Sequence, residues 1–412
     1  MSFPIDAVRA RFPSLAVRDD GVPRAYLDNP AGTQVPGSVA EAASATLLYA
    51  NANLGGAFRT SVAAGAIVQR AHEAAATFLG AASYREVAIA QSMTNLTFAM
   101  SRSIGRTLER GDEIVLTRMD HDANVAPWLM LAEDLGLIVR WVPFDTRTWR
   151  VEVSALSSQL TSRTRVVALS YASNLTGSIN DVPALVGAAK RSGALVFVDA
   201  VQLAPHALVD VRALGCDFLA CSSYKFFGPH LGIVWGRQEL LERLPAYKVR
   251  PATEDLPWKF ETGTPQVELL AALTAAVEYF AWLGAEAGER GDVRARIARA
   301  YQAASAWERD LAARLIDGLQ RIGGIEIYGI VEPARYAWRV PTVSFRHGRV
   351  RPDDVARALG AANVFAWSGN NYALEVVRQL GIPEEEGVVR IGIAHYNTPA
   401  EIDRALDAIA AL

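Results

Sequence analysis

Ala220-Cys221-Ser222-Ser223-Tyr224-Lys225-Phe226-Phe227-Gly228-Pro229 is the stretch on which the reading of this chain turns. One lysine stands between small hydroxyl residues and a pair of aromatics, just before a Gly-Pro turn signal. The run 217–221 before it predicts a short buried strand, and Gly232-Ile233-Val234-Trp235 after it predicts another. Lys225 therefore sits in a loop between two buried segments. Desolvation there disfavours the ammonium form and lowers its pKa. A neutral amine can condense with an aldehyde. The ordinary alternative is a solvated loop lysine, so the neighbouring segments have to decide.

Outward from Lys225 the chain alternates. Strands are predicted at 86–90, 112–117, 138–142, 164–170 and 195–199, with helices at 96–106, 124–135, 153–160 and 182–192 between them. Near-continuous Val/Ile/Leu strands alternating with helices predict an α/β fold: a mostly parallel sheet covered on both faces. In such sheets ligands bind beyond the carboxyl ends of the strands. Upstream, a strand at 24–28 and helices at 36–50 and 62–79 are predicted. Glycines and charges cluster at 284–292, which predicts a boundary. It divides a large domain, 15–285, from a smaller α/β domain made of 1–14 and 286–412. The smaller domain holds a long helix at 293–319, strands at 326–328, 341–345, 364–367 and 388–391, and helices at 352–359, 372–380 and 399–412.

Composition narrows the function classes. Of 412 residues 51% are hydrophobic, which is ample for a large core. The 41 basic and 44 acidic residues leave a net charge of −3, so nothing electrostatic points to nucleic acid or an anionic membrane. No signal-peptide pattern and no unbroken 18-residue apolar run is found. Cys216 and Cys221 have no partners at metal-ligand spacing, which suits a reduced cytoplasmic chain without a disulfide framework or metal site.

The candidate functional residues each follow a predicted strand. Thr94 and Asn95 open a helix, where backbone N–H groups and the helix dipole attract an anion; singly, Thr94 reads as a helix cap. His121 and Asn174 stand in loops, where a capping or turn role is the simpler reading. Asp199 ends an apolar strand, and a carboxylate is costly there without a partner. Gln202 follows three residues on. Ser222 adds a hydroxyl close to Lys225.

Taken in order, these residues resemble those of fold-type I pyridoxal phosphate enzymes. More narrowly, the chain resembles the class V aminotransferase group, and within it the group II cysteine desulfurases and selenocysteine lyases. The most specific segments are Asp120-His121-Asp122-Ala123-Asn124-Val125-Ala126-Pro127-Trp128, Phe197-Val198-Asp199-Ala200-Val201-Gln202, Ser222-Ser223-Tyr224-Lys225 and Glu261-Thr262-Gly263-Thr264-Pro265. The likeness runs from Leu27-Asp28-Asn29 to Tyr396-Asn397-Thr398. It implies pyridoxal 5'-phosphate as cofactor, bound by the large domain and held on Lys225 as a Schiff base. It implies that Asp199 pairs with the pyridine nitrogen, that Gln202 bonds the ring hydroxyl and that His121 stacks on the ring and serves as an acid. Asn174 would hold the substrate or the ring oxygen. Thr94, Asn95, Ser222 and Tyr224 would bind the phosphate. Thr264 would reach the phosphate of a partner subunit, implying a homodimer with shared sites. Arg390 would clamp the carboxylate of an amino-acid substrate.

The departures bear on the reaction. Where desulfurases of this group carry a nucleophilic cysteine, the matching stretch here is Trp367-Ser368-Gly369-Asn370-Asn371-Tyr372-Ala373, with Tyr372 in the cysteine's place. No cysteine follows Cys221. The loop 51–59 has glycines where those enzymes carry a His-Arg pair, and Arg59 offers a second anion contact. The reading that results is a desulfurase-like C–S lyase acting by beta-elimination on cysteine or an S-substituted cysteine. The alternatives are a class V aminotransferase, an epimerase, or an idle relative that only binds the cofactor.

Overall fold

The structure is a computed structural model describing residues 3–412. Its centre is a seven-stranded sheet. The strands are β1 (Val87–Ala90), β2 (Glu113–Thr117), β3 (Ile138–Val142), β4 (Thr164–Ser170), β5 (Leu195–Asp199), β6 (Phe218–Ser222) and β7 (Gly232–Gly236). Their order across the sheet is β1-β7-β6-β5-β4-β2-β3. Strand β7 runs antiparallel to both its neighbours, and all the other pairs are parallel.

Side chains alternate between two cores. Ile114 and Leu116 join Phe197 and Phe218 on one face, whereas Val115 joins Val196, Val198 and Leu219 on the other. A strand buried on both faces needs an unbroken apolar run, which is why β2, β6 and β7 read as such. Strand β3 lies at an edge and is partly exposed.

A second sheet holds β8 (Ile325–Tyr328), β9 (Thr342–His347), β10 (Trp367–Gly369) and β11 (Val388–Gly392). It is antiparallel throughout, in the order β8-β9-β11-β10. The helix Val293–Arg321 serves both bodies. Ile297, Ala300 and Tyr301 lie in a core of the large sheet, and Leu311, Leu315 and Leu319 in that of the small one. Near the N-terminus, Val8 and Phe12 pack in the large core, while Ala25 and Leu27 pack in the small one.

Two local expectations change, and one helix is added. The strand expected at 364–367 splits. Val364–Phe365 pairs with Ala25–Tyr26, and from Trp367 onward the chain joins β11. The helix expected from residue 372 starts at Leu374, because Asn371 and Tyr372 adopt left-handed φ values of 55° and 57°. The helix Val267–Glu286 was not anticipated. Its mean hydropathy of 1.4 over 18 residues would suit a membrane span by length and composition, yet 67% of that window is buried inside the protein. It packs among the helices Gly37–Tyr49, Arg59–Leu79 and Val293–Arg321, and a helix enclosed on several sides is apolar nearly all round.

Candidate active site

Lys225 ends a single 3-10 turn, Ser223–Lys225, directly after β6. The turn is fixed from two directions. Ser223 Oγ donates to the Pro229 carbonyl. Thr33 binds it from across the chain: its N–H and its hydroxyl both donate to the Tyr224 carbonyl at 3.1 Å, and its hydroxyl accepts the Phe227 N–H at 2.9 Å. Lys225 is 7% exposed. Its Nζ donates to the Pro30 carbonyl and, at 3.1 Å, to that of Ala31. It also lies 4.7 Å from the centre of the Tyr224 ring. The Pro30 turn reaches the lysine because position 392 is glycine; a Cβ there would stand 2.0 Å from the proline ring. Burial lowers the Lys225 pKa to about 7, aided by the Arg390 charge and opposed by Asp199 and Asp28.

The strand ends supply the other groups. Asp199 closes β5, buried, with Oδ1 accepting the Val201 N–H at 2.8 Å. Burial raises its pKa to about 6, against the pull of that N–H and of Lys225. No salt bridge to it occurs among the described residues. Gln202 donates to the same Pro30 carbonyl at 3.0 Å. His121 follows β2, and its Nδ1 accepts the Ala123 N–H at 3.0 Å, so the ring proton sits on Nε2. Burial, with Lys225 and Arg390 nearby, lowers its pKa to about 3. The imidazole is thus neutral at neutral pH: it can stack or donate from Nε2, and must first gain a proton before acting as an acid. Asp120 beside it is buried under hydrogen bonds from Thr117 and Asn124, and burial pushes its pKa to about 8.

A cavity of about 430 Å³ joins these elements to the small sheet. Its lining includes Thr94, His121, Asn174, Tyr224, Lys225, Tyr372 and Arg390, so seven residues separated by up to 296 positions converge (390 − 94 = 296). Arg390, in the middle of β11, is 4% exposed and donates from Nη1 to the Asn174 carbonyl at 3.0 Å, but its buried Nε has no partner. Asn174 donates to the Asn371 carbonyl at 2.7 Å while its own Oδ1 is unpartnered. The Oδ1 atoms of Asn371 and Asp28 are also buried without partners. Buried polar atoms are usually satisfied, by water or by a ligand as well as by protein, so this group offers a polar molecule several free bonds. Asp28, Asn371 and the Pro30 and Ala31 carbonyls escaped the sequence reading. The Asp28-Asn29-Pro30 run was a usable signal, since a carboxylate and a proline turn after an apolar strand rarely lack a purpose.

Not every other expected residue lines this cavity. Thr94 lies in the first turn of the helix Met93–Gly105, but the cap is Ser92, whose Oγ accepts the Asn95 N–H at 3.1 Å. That turn rests directly on β7, because a Cβ at Gly232 would meet the Ser92 backbone at 2.0 Å. Ser222 is buried at the end of β6. Asn95 and Thr264 line a separate cleft of about 730 Å³ together with Leu54, Gly263 and Trp258. Arg59 begins the helix Arg59–Leu79 and is exposed. Within one chain the structure does not bring Asn95, Thr264 or Arg59 to Lys225. Both cysteines are 0% exposed and outside the cavity lining, with burial pushing Cys216 up to about 12 and Cys221 higher still.

Comparison with known proteins places the chain in a family. Residues 25–405 match the family described as aminotransferase class-V. A cysteine desulfurase of Pectobacterium carotovorum subsp. carotovorum is 32% identical over 419 residues, covering 98% of this chain and 97% of its own. Among solved structures, the apo cysteine desulfurase from Thermococcus onnurineus NA1 has a TM-score of 0.86 at 28% identity, covering 100% of this chain and 98% of its own. The Escherichia coli cysteine desulfurase CsdA, in an S-sulfonic acid form, has a TM-score of 0.85 at 27% identity, covering 99% and 98%.

Proposed function

The chain belongs to the class-V aminotransferase family of pyridoxal 5'-phosphate enzymes, and we propose that it is a C–S lyase, eliminating the sulfur substituent of cysteine or an S-substituted cysteine. The observation that carries this reading is a cavity that holds Lys225, Asn174 and Arg390 together with Tyr372, and no thiol. With neither cysteine at hand to accept sulfur, the sulfur fragment leaves the site directly.

The residues fit the cofactor. Lys225 has a desolvated amine bound only to carbonyls, and Asp199 is a buried carboxylate without a salt bridge. Bound pyridoxal 5'-phosphate supplies an electron sink for the bonds at the substrate's alpha carbon. In this reading Lys225 holds its aldehyde carbon, Asp199 its pyridine nitrogen, Gln202 the ring hydroxyl and His121 the ring face. Thr94, Ser222, Tyr224 and the first turn of the helix Met93–Gly105 take the phosphate. The unpartnered Nε of Arg390 completes a fork for the substrate carboxylate, and Asn174 Oδ1 accepts from the substrate's polar head. Lys225 Nζ would be the base for the substrate's alpha proton. The Cβ–S bond would break with its electron pair on sulfur, which would take the proton that Lys225 removed. The three-carbon fragment adds water and yields pyruvate and ammonia.

Thr264 and Asn95, set apart from Lys225 in one chain, are assigned to the site of a second copy. Exposed Leu47, Leu48, Tyr49, Phe58 and Val62 support a homodimer with shared sites. The same reading assigns the protein to the cytoplasm. It also keeps a boundary near residue 285, although Val8 and Phe12 of the 1–14 segment, expected to group with 286–412, pack in the large core. The test is a screen of the holoenzyme against cysteine, cysteine sulfinate and S-substituted cysteines without added keto acid. Pyruvate formed over many turnovers supports the lyase. Stoichiometric conversion of the cofactor to pyridoxamine phosphate, resuming only with a keto acid, replaces it with an aminotransferase.

A further inference from the structure

The cavity around Lys225 has two unlike ends. The inner end is polar and unsatisfied: Arg390 Nε, Asn174 Oδ1 and Asn371 Oδ1 are buried without partners. The outer end is aromatic. Tyr372 and Trp367 line it while 72% and 54% exposed, and Phe98, Ala126 and Pro127 face the same space. The Tyr372 ring stacks on His121 at 5.5 Å with an interplanar angle of 26°.

The chain maintains this outer end at a cost. Asn371 and Tyr372 are consecutive non-glycine residues in the left-handed region, a conformation unfavourable for each. Four hydrogen bonds hold them there. The Asp122 N–H donates to the Tyr372 carbonyl at 2.7 Å, and Asn174 donates to the Asn371 carbonyl at 2.7 Å. Asn370 Oδ1 accepts the Tyr372 N–H at 3.0 Å, and Asn371 donates to the Gly369 carbonyl at 2.8 Å. A strained turn clamped on both sides to present a large exposed ring points to a binding role for that ring.

We propose that this outer end recognises a flat, uncharged aromatic group carried on the substrate's sulfur, so that the preferred substrates are S-aryl or S-benzyl conjugates of cysteine rather than cysteine itself. The proposal rests on the lyase reading and specifies its substrate class. An amino-acid head satisfies the inner polar atoms, and a ring beyond the sulfur covers Tyr372 and Trp367 by offset or edge-on stacking. Free cysteine ends at its thiol and leaves both rings in water. Among the charged residues that line the cavity, Asp122 is the one bonded to Tyr372, its N–H donating to the Tyr372 carbonyl, and its carboxylate disfavours an anionic substituent there.

The test compares S-benzyl-L-cysteine, S-carboxymethyl-L-cysteine and L-cysteine on the holoenzyme. Pyruvate formation gives kcat/KM, and the change in the cofactor's visible spectrum gives binding. The expected result is a kcat/KM for the benzyl compound about 10-fold above that for cysteine, with the carboxymethyl compound the poorest. In Tyr372→Ala and Trp367→Ala the benzyl-to-cysteine ratio falls about 3- to 10-fold each, mainly through KM. A wild-type ratio at or below one, or a ratio that both variants leave in place, overturns the proposal. The lyase reading fails separately: tight benzyl-selective binding without pyruvate rejects elimination yet keeps the aromatic recognition site, whereas pyruvate from cysteine alone does the reverse.

Discussion

The floor and the roof of the cavity are built by different means. The floor consists of residues that leave the ends of parallel strands: His121 after β2, Asn174 after β4 and Lys225 after β6, with Asp199 buried at the end of β5 outside the lining. The roof is the turn Gly369 to Ala373 with Trp367 before it, bent by left-handed residues and tied down by hydrogen bonds to the floor's own loops. The floor is a product of sheet topology and carries groups suited to bond-making. The roof is a local feature, and in the proposed reading it carries Tyr372 where a leaving group would sit. One fold can thus keep a cofactor chemistry while changing which substrates it serves.

The comparison can be broken most decisively at the floor. Lys225→Ala is expected to abolish covalent retention of pyridoxal 5'-phosphate after borohydride reduction, read by intact mass, and to lower turnover by about a thousandfold or more. Retained covalent cofactor in that variant would remove the lysine from its assigned role. Next in size is the inner clamp. Arg390→Gln should reduce kcat/KM about 10- to 100-fold, mostly through KM, because a charged hydrogen bond to the substrate carboxylate contributes about 1.5–3 kcal/mol. An unaltered KM would show that the carboxylate lies elsewhere.

A pH series sharpens the floor further. Lys225 has a pKa lowered to about 7, so its amine is protonated and unreactive below that value and free above it. Covalent capture of pyridoxal 5'-phosphate by the apoprotein should therefore accelerate as pH rises through about 7 and then level off. A rate still climbing toward the ordinary lysine range near 10.4 would show that burial does not desolvate the amine. The smallest effect concerns neither floor nor roof. Thr264→Ala should weaken cofactor affinity by about fivefold, the worth of one hydroxyl hydrogen bond, if a second copy supplies that residue. Unchanged affinity would argue against a shared site.

The floor was largely legible from the order of residues. Buried strands are continuous apolar runs, and the residues just after parallel strands must lie at one edge of their sheet; this rule alone groups Thr94, His121, Asn174, Asp199 and Lys225. Arg390 was legible only through resemblance, since an arginine inside an apolar strand has no local pattern that says where it points. Expectation fell short where a segment's environment is set by distant parts of the chain. The helix Val267–Glu286 has no clear polar stripe because three other helices enclose it. Residues 364–367 look like one strand but divide between two partners, Ala25–Tyr26 and β11, neither of which is close in sequence.

Two kinds of information therefore meet in this protein. Local pattern is enough to specify the alternating elements, the burial of the sheet, a lysine set between two buried strands and the absence of cysteine after Cys221. These come from periodicity and from which side chains are present, and neither depends on long-range geometry. Long-range packing alone decides that Asn95, Thr264 and Arg59 stand away from Lys225, that the Pro30 turn abuts Gly392, and that Tyr372 stacks on His121. Such facts depend on contacts across hundreds of residues, where a missing Cβ or a left-handed φ determines what can approach.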